Sequence, residues 1–328
     1  MQIVRVISIT VAVFVLCPFF ANSYTSAAPA HVSVVGSGPG TSIYVMYGGL
    51  AALVSKNSKA VKMTNKTTRG AVEDLRLIEA EKADFGLGVA GLVLRALNGK
   101  KPYKKKHQNI RGMGPATVSM FQMATFQSSG IKSLKDLNGK AISSGRKGGN
   151  AHFMTSRLIK HAGLKVRREY MPFSALADAM KDNRIQAFSI PLPVPGPAFF
   201  KAAAAAPIRL LPIRGATLEK FLKDSPAYFN INIPAGSYNG VTKDVSTVGY
   251  TAWTVVGAHV SPSVGYEVTR INFSNQGREF LPKVHRGWVS GFKVAPALEQ
   301  MAAIGLKIHP GAARYWKEKG YKIPASIQ

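Results

Sequence analysis

Cysteine is all but missing from this chain. The one thiol, Cys17, stands in an apolar N-terminal run, and a chain that sheds that run has no disulfide framework, no thiolate metal site and no cysteine nucleophile. Acidic residues are scarce as well, 16 Asp and Glu against 43 Lys and Arg. They form no Asp-x-Asp pair, and the histidines at 31, 107, 152, 161, 259, 285 and 309 form no His-x-x-x-His or His-Glu-x-x-His pattern. A metal centre needs ligands at such spacings, and an enzyme needs a nucleophile with its base or paired carboxylates, so no metal, cofactor or catalysis is expected. After Phe20 there is no unbroken apolar run of about 18 residues, the length a membrane-spanning helix requires. Aromatics are thin where nucleic acid would need them: the densest basic run, Lys100 to His107, has only Tyr103 beside it and reads as a solvated loop. No nucleic-acid partner is expected.

What is present at the N-terminus is a targeting pattern. Met1 to Arg5 leads into an apolar core from Val6 to Phe20, followed by small and polar residues up to Ala28-Pro29-Ala30. That order of charge, apolar core and Ala-x-Ala site marks a secretory signal peptide, residues 1–30, and a periplasmic destination. A lipoprotein signal usually has a small residue before its cysteine, and here Leu16 stands there. Arg5 is the only charged residue before position 31, so the remainder keeps 42 Lys and Arg against 16 Asp and Glu, a net charge of +26. A field of that size attracts anions. Nucleic acid, an acidic envelope surface and a small anionic solute all fit the charge alone.

The stretch that organises the chain is Val32 to Val54, where a β-rich run breaks at Gly36, Gly38 and Gly40 and a helix begins near Ser42. Glycines there let the backbone approach a ligand, and the free N–H groups of a helix start hold negative charge. A short strand at Ala60 to Met63, a helix with Val72, Leu75 and Ile78 on one face, and a strand at Asp84 to Gly88 follow. This is the βαβα order of a mainly parallel sheet. Asn109 to Met113 and Val118 to Phe126 read as two strands, and Gly130 to Lys140 as a turn-rich hinge. The pattern then restarts: strand Ala141 to Ser144, a second glycine loop from Gly145 to Asn150, and a helix from Ala151 to Ala162 stopped by Gly163. Ser174 is expected to cap a helix, and Pro191 to Pro197 to leave the sheet as a rigid loop. Tyr250 to Val256 is a second long strand that returns the chain to the first unit.

Several stretches, in order along nearly the whole exported chain, resemble the solute receptors of tripartite ATP-independent periplasmic (TRAP) transporters of the TAXI type. They are the first glycine loop with Tyr44, Gly70 to Leu77 with Ala83-Asp84-Phe85-Gly86, Gly130 to Leu137, Ala177 to Asp182, Ile233 to Tyr238, and His309 to Gly320. The resemblance implies an α/β, two-lobed periplasmic-binding-protein fold (type II-like), with two mixed sheets flanked by helices and a hinge of crossing strands. Lobe 1 would be 31–120 and 255–328, and lobe 2 would be 121–254. It implies a receptor that delivers a small organic anion to integral membrane TRAP permease subunits. A receptor of an ABC importer, or a basic envelope protein of the same fold that binds polyanions, is the alternative. The expected pocket takes Ser37, Gly40, Thr41, Tyr44 and Arg69 from the first lobe. Ser144, Arg146, Gly148 and Asn150 come from the second, and Pro191 and Val194 form an apolar wall. Where the family commonly has a polar Gln-Ser-Asp-like run, this chain has Val89-Ala90-Gly91, which points to an organic anion with an apolar portion rather than glutamate.

Overall fold

The computed structural model describes residues 28–39 and 41–328. Residues 1–27, which hold most of the expected signal peptide together with Cys17, and Gly40 lie outside the described residues. The first group of elements is β1 (Ala30–Val35), α1 (Ser42–Asn57), β2 (Val61–Lys66), α2 (Ala71–Glu79), β3 (Phe85–Val89), α3 (Ala90–Leu97) and β4 (Ile110–Phe126). A second group repeats the order: β5 (Ala141–Ser143), α4 (Asn150–Ala162), β6 (Arg167–Glu169), α5 (Leu176–Lys181), β7 (Ala187–Leu192), α6 (Pro197–Ala205), β8 (Ile208–Leu210), α7 (Gly215–Lys223) and β9 (Phe229–Ile233). The long β10 (Val245–Gly257) then leads to α8 (Pro262–Asn272), α9 (Asn275–Val284), α10 (Gly287–Gly291), α11 (Val294–Ala303) and α12 (Pro310–Glu318).

Local chemistry explains many of the boundaries. The Thr41 hydroxyl accepts from the Tyr44 N–H at the start of α1, Ser261 and Ser274 do the same for α8 and α9, and the His309 ring caps α12. Gly163 ends α4 at φ 66°, in the left-handed region that a glycine enters without cost. Val72, Leu75 and Ile78 of α2 are buried at the expected helical spacing.

The described strands form one sheet in the order β2-β1-β3-β10-β4-β7-β5-β6, with β8 on β4 and β9 on β10. The two sheets expected from the sequence are two wings of this ladder, continuous because β4 and β10 are long enough to serve both. In the first wing β1 is parallel to β2 and β3, β10 runs antiparallel to β3, and β4 antiparallel to β10. In the second wing β5 is parallel to β6 and β7, β4 runs antiparallel to β7, and β8 antiparallel to β4. Each wing therefore has the same order, second, first, third, a strand lent by the crossing pair, then fourth. Register shifts interrupt the β10–β4 ladder at Ala252/Trp253 and Thr254/Val255, where bulges add twist.

Several expectations need correction. The two strands expected between Asn109 and Phe126 are one, β4. Gly112 and Gly114 mark close packing rather than a break: added side chains there would run into Met301 and Trp316. Pro191 does not leave the sheet, for it stands opposite Phe121 in the β7–β4 ladder. It is tolerated because β5 pairs with β7 only at Ala187 and Phe188, so β7 is an edge on that side by residue 191. Ser174 lies within a turn of 3-10 helix, and α5 starts at Leu176 without a side-chain cap. The main chain of Ala30 already bonds to Ala60, so cleavage after Ala30 would shorten β1 by one residue.

The core is aromatic at its centre. Trp253, Trp288, Trp316, Tyr47 and Tyr250 are fully buried. The Trp316 and Trp253 indole N–H groups donate to the Met113 and Ala297 carbonyls at 2.6 and 3.2 Å, which satisfies their polar tips. Truncating either to alanine should cost about 3–5 kcal/mol. A second cluster around Phe188, Phe199 and Ile190 belongs to the second wing.

Candidate functional site

The first glycine loop is built around a threonine. Ser37 takes φ 69°, and its N–H donates to the Thr68 hydroxyl at 3.0 Å while its carbonyl accepts from the Thr68 N–H at 3.0 Å. The Gly70 N–H also donates to that hydroxyl, which in turn donates to Asp74 Oδ1. Asp74 is wholly buried, its Oδ2 has no hydrogen-bond partner, and burial pushes its pKa up to about 7 against the pull of Thr68 and the Ser37 main chain. A carboxylate under the loop opposes a bound anion whenever it is charged. This corrects the picture of a purely attractive first cradle.

The other expected residues of this loop are largely occupied. The Thr41 hydroxyl donates to the Gly38 carbonyl and accepts from Tyr44 N–H. Tyr44 is half-buried with its carbonyl held by Asn65, and the Arg69 side chain is exposed. The Ser42 hydroxyl is fully buried and has no partner.

In the second loop the guanidinium comes from a residue the sequence reading did not select. Arg146 and Lys147 are exposed and Gly148, at φ 88°, faces open space. Arg168 of β6 instead reaches the buried Ser144 hydroxyl at 2.8 Å, Ser156 at 3.2 Å and His152 Nδ1 at 3.2 Å. It also lies over the Tyr170 ring at 5.9 Å, and its Nε is buried without a partner. Among the described residues no carboxylate pairs with it, and burial lowers its pKa. His152 is lowered by burial first, then by Arg168 and Lys147, and its Nδ1 accepts rather than carrying a proton. Strand alternation held the only sequence signal: in Arg167-Arg168-Glu169 the outer two form an ion pair at 3.1 Å, which leaves Arg168 alone on the opposite face.

Three expected or neighbouring groups do converge. The Asn150 amide donates to the Tyr250 hydroxyl at 3.1 Å, and that hydroxyl donates to the Pro191 carbonyl at 3.4 Å, which joins α4, β10 and β7. The proline wall does not face an open cleft. Pro193 packs against Gly287, the Pro195 main chain lies beside the His285 ring, and Val194 is half-buried. Across the gap, a methyl placed on Gly91 would stand 2.5 Å from the Tyr228 hydroxyl. The space left by the missing polar run at Val89-Ala90-Gly91 is thus taken by a tyrosine from the second wing. No hydrogen bond joins the two glycine loops among the described residues, and no group of three or more His, Cys, Asp or Glu converges there or elsewhere among them as metal ligands would.

The fold and its sequence have known counterparts. The profile of the NMT1-like family matches residues 35–320. A solved structure from Bordetella bronchiseptica RB50 is 13% identical, with a TM-score of 0.53 over 90% of this chain and 99% of that one. A structure described as a periplasmic transporter is 12% identical, with a TM-score of 0.52 over 82% and 96%. A third concerns glutathione import in Gram-positive bacteria through GshT and the cystine ABC importer TcyBC of Streptococcus mutans. It is 11% identical, with a TM-score of 0.50 over 81% and 97%. At such identities the likeness is one of fold, that of the periplasmic binding proteins.

Proposed function

Because this chain belongs to the NMT1-like family, matched from residue 35 to 320, we propose that it is an extracytoplasmic solute-binding receptor for a small organic anion. The observation that carries the reading is Arg168, a half-buried guanidinium bonded to Ser144 and His152 with no carboxylate partner among the described residues. A guanidinium so placed offers a planar fork of donors to a carboxylate, a charge-assisted pairing about twice as strong as a neutral hydrogen bond. Ser144, His152 and Tyr170 surround it, and Lys147 adds to the field.

The solute is an organic acid with an apolar portion. An α-ammonium group needs acceptors, and the first wing presents Val89, Ala90 and Gly91 under the Tyr228 hydroxyl where such acceptors would stand. The lobes divide at the crossing strands β4 and β10, and closure of one on the other encloses the solute. The delivery partner is the membrane component of an importer. The structure reported with the cystine ABC importer of Streptococcus mutans supports an ABC system, whereas the motif order supports a TRAP permease. Export through the N-terminal signal places the receptor in the periplasm.

A thermal-shift screen of short mono- and dicarboxylic acids identifies the solute, since a ligand bound only by the folded state raises Tm by mass action. Calorimetry with Arg168→Ala then tests the site. The expected loss is about 2–3 kcal/mol, the worth of a hydrogen bond to a charged group. Unchanged affinity removes Arg168 from the site, and glutamate binding tenfold tighter than its deaminated counterpart overturns the solute class.

A further inference from the structure

A crevice of about 430 Å3 opens between α3 and α4, lined by Arg95 on one side and by Ser156, Arg157, Lys160, His161 and Asp224 on the other. Arg95 follows β3 in the first wing, and the remaining five belong to the second. Three permanent cations and a histidine therefore face one carboxylate. That carboxylate is already engaged, for a single Asp224 oxygen accepts from Arg157 Nε at 3.0 Å and meets His161 Nε2 at 2.7 Å.

Arg157 is held in place by its neighbours on the crevice wall. Its guanidinium lies 5.7 Å from the Phe221 ring and 5.4 Å from the Tyr228 ring, stacking that fixes the plane and leaves donors at the edge. Its Nη1 is buried and has no hydrogen-bond partner. Arg95 is steadied from its own side by a 2.8 Å bond to the Lys101 carbonyl. Both arginines bear on one hydroxyl: burial raises the Tyr228 pKa, and Arg157 and then Arg95 pull it back. Cations from opposite wings thus converge on one crevice. Their mutual repulsion opposes closure unless negative charge enters.

We propose that this crevice is a binding site for a small oxyanion of the phosphate or sulfate class, clamped between Arg95 of one wing and Arg157 and Lys160 of the other. Its occupation favours the closed form. The site is distinct from the Arg168 cluster in its cations, and Ser156 belongs to both: it lines the crevice and its hydroxyl accepts from Arg168. It does not rest on the solute assigned to that cluster.

Calorimetry with inorganic phosphate, sulfate and glycerol 3-phosphate, at ionic strength held constant with chloride, tests the proposal. A saturable 1:1 isotherm is expected for the inorganic ions, and an equal or tighter one for the ester would assign the site to the phosphate end of a larger molecule. Arg95→Gln and Lys160→Gln should each weaken phosphate binding about tenfold, as loss of a hydrogen bond to a charged group does. Lys104→Gln should leave it unchanged, and phosphate should lower the radius of gyration of the wild type. Absence of saturable binding overturns the site, as does equal weakening by Lys104→Gln. Loss in Arg168→Ala with retention in Arg95→Gln would move the ion to the Arg168 cluster and overturn it as well.

Discussion

At the scale of single residues, two buried charges of opposite sign divide the roles of the two loops. Among the described residues Arg168 lacks a carboxylate and can receive one, whereas Asp74 is a carboxylate without a cation. Burial raises Asp74 from 3.8 to about 7, so the folded protein retains a proton that the unfolded chain releases over that interval. The stability this group contributes is present in acid, falls as pH rises from 3.8 towards 7, and stays lost above it. Asp74→Asn keeps the acceptor for the Thr68 hydroxyl with no charge to bury. It is expected to raise Tm at pH 8 and to leave it nearly unchanged at pH 4, a difference on the order of a few kcal/mol. Melting curves shifted equally at both pH values would refute the raised pKa.

At the scale of elements, the contact between the proline loop and the corner between α9 and α10 has its own pH dependence. His285 Nδ1 accepts the Gly287 N–H at 2.9 Å, and burial lowers its pKa below the ordinary 6.5 although the nearby Pro195 main chain opposes this. The unfolded chain takes up the proton first as pH falls through 6.5, so the contact's stability is present above that value and lost below it. Protonation also removes the acceptor for Gly287. His107, His152 and His309 are lowered by burial too, so overall stability falls in acid and a local measurement is needed. Hydrogen exchange at the Gly287 and Trp288 amides, corrected for intrinsic rate, should speed up between pH 7 and pH 5.5 more than in His285→Gln. Identical behaviour of the two proteins would refute the assignment.

At the scale of the whole molecule, the wings meet at Tyr228 over Gly91 and at Pro193 against Gly287. If closure brings these together, Gly91→Val should hold the wings apart. The variant's radius of gyration by solution scattering should exceed that of the wild type, and adding Tyr228→Ala should restore it. An unchanged radius in Gly91→Val would mean that this contact does not limit closure.

The sequence alone determined the α/β class, the restart of the βα pattern, the start of α1 and the end of α4, because periodicity and capping are local: the Ser42 start, Gly163 and the Val72, Leu75, Ile78 face act within a few residues of where they stand. It also showed where the long strands lie, though glycines needed for packing against Met301 and Trp316 looked like a break at 112–114. The short strands β6 and β9 were not read: β6 is charged throughout, and β9, though Phe229 to Ile233 alternates, gains its place only by pairing with β10. The candidate site was legible only as two glycine loops. Which side chains serve them depends on contacts between distant segments: Arg168 with Ser144, Thr68 with Ser37, Tyr228 with Gly91, Arg95 beside Arg157. Only the tertiary structure decided these, because a buried charge or an orphaned donor is a property of the surroundings that folding brings together and no local pattern encodes it.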